Sequence, residues 1–269
     1  MSENKNSVLP DVIEPISNAI QQNIPETAKQ TDGALSTVVG FFNNVVLYPV
    51  KKANLTFRYK LEAFEDDLKE KTKHIPPENL QIPPTMIAGP ALEALRYTYD
   101  EEELREMYEN LLASAMDNRI AAFAHPSYVD TIKQMSPLDA KVLNEISKVG
   151  QCPAAKIVLI TDDAANLYIA RALPELYVPE ISEIDDPFLI SQSLINLSRL
   201  GVIDIFDSGM TNYDYKSLLE KDYILSTKEK FDKKKKGLKL QLFERGIQIN
   251  DYGDDFCRIC LTEVHYNAD

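Results

Sequence analysis

Apolar positions recur at intervals of three and four residues through much of this chain, which is the spacing that buries one face of an α-helix. Residues 52–73 place such positions between charges and predict an exposed amphipathic helix. Residues 100–115 predict another, and further helices are predicted at 137–148, at 187–200 and from Asp251 onwards. The pattern therefore predicts a mainly helical protein.

Residues at the predicted helix ends agree with these bounds. Ser136 can cap the helix that begins at Pro137, because a serine oxygen accepts a hydrogen bond from a free backbone amide and proline suits the first helical position. Asp186 is placed in the same way before the helix at 187–200. Gly201 follows that helix, where a residue in the left-handed conformation commonly ends a helix.

Short runs rich in β-branched residues are strand candidates at 201–206, 238–243 and 246–249. The apolar run 156–160 fits either a strand or a buried helical turn, and residues 163–172 predict a helix. From residue 137 onwards, the order of helix, helix, strand, long insertion, strand and helix is that of a winged helix-turn-helix with an elaborated wing.

We therefore predict two parts, an N-terminal helical region at 1–135 and a winged-helix-like α+β domain at 136–269. Within the first part, residues 75–90 contain five prolines. This segment is expected to be extended or made of short turns, because proline donates no amide hydrogen bond and disfavours helix at the preceding residue. It is either a linker or a strap on the core, and its apolar residues favour the strap: Ile82, Met86 and Ile87.

Residues 33–50 form the most apolar window, GALSTVVGFFNNVVLYPV. A membrane-spanning helix needs about 20 mostly apolar residues, whereas Asn43 and Asn44 interrupt this window. We favour a helix that is buried or faces a partner over one that lies on or inserts into a membrane, and a spanning helix is the least favoured. The predicted partner or membrane contacts are Val38, Phe41, Phe42, Val45 and Tyr48.

The chain carries a formal net charge of −13, which disfavours nucleic acid and anionic lipid as ligands of its average surface. Residues 225–239 are a basic exception, with seven lysines against Glu229 and Asp232. We favour a solvated loop there, because the predicted recognition helix offers little positive charge for the major groove. The alternative is a nucleic-acid site, and its predicted contacts are Arg199, Lys233, Lys234, Lys235 and Lys236.

Cys257 and Cys260 form a C-x-x-C motif with His265 nearby. A structural zinc site needs four ligands, and the sequence contains no second motif of this kind. We therefore interpret the two cysteines as core residues. The only other cysteine is Cys152, and the first residues lack an export signal, which predicts free thiols in a reducing cytoplasm. A peripheral location at the inner membrane is the alternative.

His125 and Ser127 are residue types used in acid–base and nucleophilic chemistry. The proline between them favours a helix entry instead, with both side chains available as caps. The sequence also lacks a phosphate-binding glycine loop, a zincin helix and a nucleophile elbow. We predict no catalytic residue, no cofactor and no metal site, and hence a protein that is not an enzyme.

Four blocks carry a family likeness: PPTMIAGPALEALRYTYDEEELREMYENLLASAMD, HPSYVDTIKQMSPLDAKVL, SLINLSRLGVIDI and GIQINDYGDDFCRICL. They resemble the Abi-alpha family, which is associated with abortive infection, the defence of bacteria against phage. The resemblance covers roughly residues 35–262, and its most specific blocks are 102–117 and 125–143.

The resemblance implies a role in antiphage defence and brings no catalytic residues with it. We expect a component that acts without catalysis, through contacts with a protein partner: a phage component, a neighbour-encoded protein or a second copy. The first alternative is an effector that permeabilises the inner membrane through helix 33–50. The second is a nucleic-acid-binding regulator that uses the basic insertion 228–239.

Overall fold

The computed structural model describes residues 55–161, 168–169, 171–235 and 237–261. Most of them are helical, which confirms the prediction of a mainly helical protein. The helices are α1 (Leu55–Thr72), α2 (Thr85–Thr98), α3 (Glu102–Met116), α4 (Ser127–Lys133), α5 (Pro137–Val149), α6 (Pro187–Arg199), α7 (Asp222–Asp232) and α8 (Asp251–Cys260).

Four strands form one antiparallel sheet in the order β2-β1-β4-β3. The strands are β1 (Gln151–Thr161), β2 (Tyr168–Ile169), β3 (Ile203–Phe206) and β4 (Leu238–Ile249). The alternatives for 156–160 are thus resolved as a strand. The two strand candidates at 238–243 and 246–249 belong to one strand, β4, because the pairing continues through Gly246. This residue lies opposite Pro153 of β1 on one side and Phe206 of β3 on the other.

The predicted helix at 163–172 is wrong where the structure describes it. Tyr168 and Ile169 pair with Ile160 and Leu159 of β1, because the edge of a long strand offers backbone donors and acceptors that a second strand satisfies. Residues 163–167 of that prediction lie outside the described part of the chain.

Contacts within the chain group the described residues into two compact units, 55–99 with 109–126 and 100–108 with 127–261. The predicted domain boundary at residue 135 stays a prediction. In the first unit, α1, α2 and α3 bury rows of apolar side chains, including Phe64, Leu68, Ile87, Leu92, Leu95, Leu111 and Leu112.

The proline-rich chain before α2 is hydrogen-bonded to the end of α3. The Gln81 N–H donates to the carbonyl of Met116 at 2.8 Å, and the Asn118 N–H donates to the carbonyl of Asn79 at 2.9 Å. The side-chain amide of Asn79 also donates to Asn118 Oδ1 at 2.9 Å. These bonds provide partners for backbone groups that have none within the proline-rich segment itself.

The expectation that residues 75–90 are extended or in short turns is wrong for the last six, because α2 begins at Thr85 and contains Pro90. Proline inside a helix costs about 3 kcal/mol. Here Ile87, Ala91 and Leu92 are at most 1% exposed, and burial of apolar side chains at helical spacing offsets that cost.

In the second unit, helices α5, α6 and α8 bury their apolar faces, and the sheet buries one of its faces. Ala155 and Ile157 of β1 form an apolar cluster with Tyr215, Leu218 and Ile224, which belong to the chain between β3 and β4. The loop predicted at 225–239 is wrong up to Asp232, because α7 occupies 222–232, although most side chains of this basic segment are exposed or half-buried.

The predicted helix ends of this unit are confirmed. Ser136 Oγ accepts from the Asp139 N–H at 3.1 Å, and Asp139 Oδ2 accepts from the Ser136 N–H at 2.7 Å. Asp186 Oδ1 accepts from the Phe188 N–H at 2.8 Å. Gly201 follows α6 with a φ of 74°, a conformation that costs glycine little.

Candidate partner-binding face

The residues proposed from sequence as partner or membrane contacts lie outside the described part of the chain: Val38, Phe41, Phe42, Val45 and Tyr48. Lys236 and His265 lie outside it as well. The described candidates are Arg199 and the lysines at 233–235.

Arg199 lies in the last turn of α6, where uncharged partners hold its guanidinium. Its Nε and Nη2 donate to Asn196 Oδ1 at 3.0 and 2.8 Å, and its Nη1 donates to Gln134 Oε1 at 3.1 Å. The guanidinium therefore braces α6 against the residues that precede α5.

Lys233, Lys234 and Lys235 follow α7 and are exposed. Asp232 anchors this run, since its carboxylate accepts from Lys228 Nζ at 2.5 Å and from the Leu238 N–H at 3.1 Å. The same two hydrogen bonds lower the pKa of Asp232. In the described residues no hydrogen bond or ion pair joins these lysines to Arg199, so the proposed nucleic-acid contacts form no bonded network.

The outer side of α6 carries exposed apolar side chains. Phe188 is 39% exposed, and Leu189 and Ile195 are each 46% exposed. With Gln192 they lie on one side of the helix, because residues three and four apart are neighbours on a helical surface. We call these four residues the α6 face. An exposed apolar stripe of this kind is typical of a surface that binds another molecule.

A shallow groove of about 340 Å³ lies between the α6 face and the start of α5. Hydrogen bonds fix its floor: Asn196 Nδ2 donates to Asp139 Oδ2 and to the carbonyl of Gln134, each at 3.0 Å. Because Asp139 Oδ2 also accepts from the Ser136 N–H, one buried carboxylate ties the start of α5 to α6. The α6 face is thus held on a braced helix.

Acidic residues surround the first turn of α6. Glu183, Asp185 and Asp186 precede it and are exposed. Lys141 of α5 forms an ion pair with Glu103 at 2.9 Å. Their hydrogen bond lowers the pKa of Glu103 and raises that of Lys141, and the negative charge of Asp185 raises the Lys141 pKa further. The N-terminal end of the α6 face therefore has negative surroundings.

All three cysteines are buried and free, which confirms the assignment of Cys257 and Cys260 to the core. Burial raises the pKa of the Cys152 and Cys257 thiols to about 12, and it raises that of Cys260 as well. Among the described residues, no cluster of histidine, cysteine and acidic side chains has the arrangement of a metal site. No helix in that part of the chain has the length and apolar character needed to cross a membrane.

Sequence reasoning missed the exposure of the α6 face. The sequence signal for this exposure was the number of apolar residues in α6. One buried stripe does not account for Phe188 and Ile195. A helix with more apolar residues than its buried face can hold exposes the remainder.

The described residues define a mainly helical protein with a small antiparallel sheet. Its sequence matches the abortive infection alpha family over residues 56–260, which is more than half of the chain, and the protein therefore belongs to that family. The family is associated with abortive infection, a form of antiphage defence.

No curated protein matches the sequence. The solved structure of an uncharacterized protein from the hydrocarbon-degrading marine bacterium Alcanivorax borkumensis SK2 is similar at 12% identity, with a TM-score of 0.31. The match covers 54% of this chain and 96% of that chain. A likeness at this level supports no assignment of fold or function.

Proposed function

We propose that this protein is an abortive-infection component that acts without catalysis, by binding a second protein through the α6 face. The observation that carries the proposal is the exposure of Phe188, Leu189 and Ile195 on a helix whose position is fixed by hydrogen bonds to α5. Large apolar side chains on a rigid surface supply much of the affinity of protein interfaces.

We also infer that the second unit is winged-helix-like. Its elements follow the order α5, β1, α6, β3, β4, and its sheet has the order β1-β4-β3 with an additional β2 at the edge. The chain between β3 and β4 takes the position of the wing and is elaborated by α7. Such folds bind proteins as well as DNA, so the side chains of α6 decide the class of partner.

Charge favours a protein partner with basic side chains around an apolar centre. The acidic rim at Glu183, Asp185 and Asp186 attracts such a surface. The same rim and the net charge of −13 repel a second copy of the chain and a nucleic-acid backbone. A phage component or a neighbour-encoded protein therefore fits better than self-association.

The test compares two substitutions of exposed apolar residues in cells challenged with phage. Ile195→Asp places a charge within the α6 face, and a substituted interface anchor costs about 2 kcal/mol, or roughly 30-fold in affinity. We expect this variant to restore plaque formation to the level of cells that lack the protein. Leu225→Asp is the matched control, because Leu225 is 42% exposed on α7, and it should leave protection intact.

Thermal unfolding of both purified variants must match that of the wild type for the comparison to count. Protection that survives Ile195→Asp would contradict the proposal. Loss of protection with Phe41→Asp together with loss of phage-induced depolarisation would then favour the membrane effector. Loss only when Lys233, Lys234, Lys235 and Lys236 are changed to glutamine would favour the nucleic-acid regulator.

A further inference from the structure

The outer edge of β1 is paired at two points and open between them. Leu159 pairs with Ile169 of β2. Ala155 and Tyr177 exchange both backbone hydrogen bonds, at 2.9 and 2.8 Å. The chain from 171 to 176 lies opposite only residues 156–158 and departs from the edge. A cleft of about 540 Å³ lies there, within the size range of small-molecule sites.

The backbone of β1 contributes to this cleft at Ile157. In an antiparallel strand, successive residues direct their N–H and C=O groups to opposite edges. Ala155 bonds to Tyr177 on the outer edge, and β1 has a regular register with β4 throughout. The N–H and C=O of Ile157 therefore also point to the outer edge, towards the part that β2 leaves uncovered.

Positive charge is concentrated around the cleft. Its lining includes Lys156, Arg171 and Arg245 against one carboxylate, Glu175. Lys156 Nζ lies 2.5 Å from Glu175 Oε1, and Arg245 Nη2 lies 3.2 Å from Asp207 at the surface. The two ion pairs neutralise Lys156 and Arg245, so the three cations leave an excess of one positive charge, that of Arg171, in a protein whose net charge is −13.

Arg171 differs from the other two cations. It is exposed, and it has no hydrogen-bonding or ionic partner among the residues that the structure describes. Its backbone has a φ of 56°, a left-handed conformation that is unfavourable for a residue with a side chain. Strain of this kind is found preferentially at ligand sites, and here it places an unpaired guanidinium at the cleft.

The cleft also has an apolar part. Leu173 is 8% exposed, and Phe243 is half-buried on β4 opposite Lys156. An aromatic ring beside an anion-binding group can contact a flat organic portion of a ligand. The lining therefore combines two kinds of recognition, one for an anion and one for an apolar group.

We propose that this cleft binds a phosphate monoester with a flat organic portion, of the size of a nucleoside monophosphate. The guanidinium of Arg171 and the outward N–H of Ile157 together offer more donors than the two oxygens of a carboxylate use, which favours the three terminal oxygens of a phosphate monoester. Arg171 binds the phosphate oxygens, because a guanidinium fork matches their geometry, and the Ile157 N–H is a second donor. Phe243 contacts the organic portion. This site is independent of the α6 face.

The test is isothermal titration calorimetry of the full chain with four probes: a nucleoside monophosphate, the corresponding nucleoside, glucose 6-phosphate and inorganic phosphate. We expect the nucleoside monophosphate to bind most tightly and its affinity to fall as salt is added. Arg171→Gln should weaken that binding about tenfold, the equivalent of one charge-assisted hydrogen bond. Lys216→Gln is the control, since Lys216 is exposed and outside the cleft.

A second substitution, which is expected to tighten binding, keeps the test informative if Arg171→Gln alters folding. Glu175→Gln removes the competing carboxylate and frees Lys156, so it should tighten binding severalfold while thermal unfolding stays near that of the wild type. The proposal is overturned if no phosphorylated probe binds, if the nucleoside binds as tightly as its monophosphate, or if Glu175→Gln leaves the affinity unchanged. Equal affinity for inorganic phosphate would overturn the role given to Phe243.

Discussion

Tyr108 and Tyr215 are both buried, but their hydroxyl groups have different surroundings. The Tyr215 hydroxyl accepts from the Met210 N–H and donates to the Arg245 carbonyl, each at 2.7 Å. The Tyr108 hydroxyl has no hydrogen-bond partner in the described part of the chain. Burial raises the pKa of both phenols, so both are neutral at pH 7, and hydrogen bonding alone distinguishes them.

The same substitution should therefore have different effects at the two positions. Tyr215→Phe leaves the N–H of Met210 and the C=O of Arg245 without their partner in a half-buried place, and we expect the free energy of unfolding to fall by about 1–3 kcal/mol. Tyr108→Phe removes an unsatisfied polar group, so stability should be unchanged or raised by up to about 1 kcal/mol. Urea unfolding at pH 7 measures both. Equal losses at the two positions would show that the Tyr108 hydroxyl is hydrogen-bonded in solution.

At the scale of the secondary-structure elements, α2 and α8 each contain a glycine in an unfavourable place for helix formation. A Cβ added at Gly253 of α8 would overlap with the carbonyl oxygen of Val202, whereas a Cβ at Gly89 of α2 would have no neighbour within 4 Å. Gly253 therefore permits the close approach of α8 to the turn before β3. Gly89 has no such role.

This contrast predicts that a change from glycine to alanine shifts the free energy of unfolding in opposite directions at the two positions. Alanine is about 1 kcal/mol better than glycine inside a helix, so Gly89→Ala should raise the free energy of unfolding by about that amount. Gly253→Ala should lower it by about 2–4 kcal/mol, because overpacking of α8 against the backbone exceeds the gain in helix propensity. Thermal unfolding of the two variants provides the measurement. A stabilised Gly253→Ala protein would mean that α8 can shift away from Val202 at little cost.

Local signals predicted α5 and α6 because each combines an apolar stripe with an end marked by a capping residue, a proline or a glycine, and they predicted α3 and α8 from the spacing of apolar residues. They failed where distant contacts decide the conformation. The strand at Tyr168 and Ile169 exists because the edge of β1 is available, and the helix around Pro90 exists because Ile87 and Leu92 are buried. Neither partner is adjacent in sequence, so a local pattern could not predict these elements.

The candidate sites show the same difference between features that a local sequence pattern predicts and features that depend on the fold. Sequence alone placed Phe188 and Ile195 on a helix, but their exposure depends on which side of α6 packs inwards. Arg199 was predicted as a nucleic-acid contact from its charge, and only the fold shows that its guanidinium is hydrogen-bonded to Asn196 and Gln134. The cleft beside β1 had no sequence signal, because Lys156, Arg171 and Arg245 come together only when the sheet forms.

At the scale of the whole molecule, charge acts on stability in two opposing ways. The net charge of −13 at pH 7 destabilises the compact state through repulsion, and acidification towards the pI of 4.8 relieves it. Glu103 and Asp232, in contrast, have pKa values lowered by hydrogen bonds to lysines. A group with a depressed pKa in the folded state stabilises the fold above its unfolded pKa, and this contribution is lost as the pH falls through the folded value.

Asp117 is the most buried of the carboxylates that behave in this way. Burial alone would raise its pKa, but the hydrogen bonds and charge of Arg119 outweigh burial and lower it. Arg119 Nη2 lies 2.5 Å from Asp117 Oδ2, and the Arg119 N–H donates to Oδ1 at 3.0 Å. The stabilisation from this pair is therefore present above about pH 4, the usual pKa of an aspartate, and it disappears on further acidification.

We expect the wild type to be most stable between about pH 5 and 6, where repulsion is weak and the paired carboxylates remain charged. Asp117→Asn should lower the free energy of unfolding by about 1–3 kcal/mol at pH 7, and the difference from the wild type should shrink as the pH falls below about 4 towards the lowered pKa of Asp117. Asp66→Asn is the control, because the Asp66 side chain is 76% exposed in its ion pair with Lys69, and such pairs contribute little. Urea unfolding across this pH range gives both curves. A difference that does not shrink on acidification would mean that Asp117 stabilises the fold through its shape and packing and not through its charge.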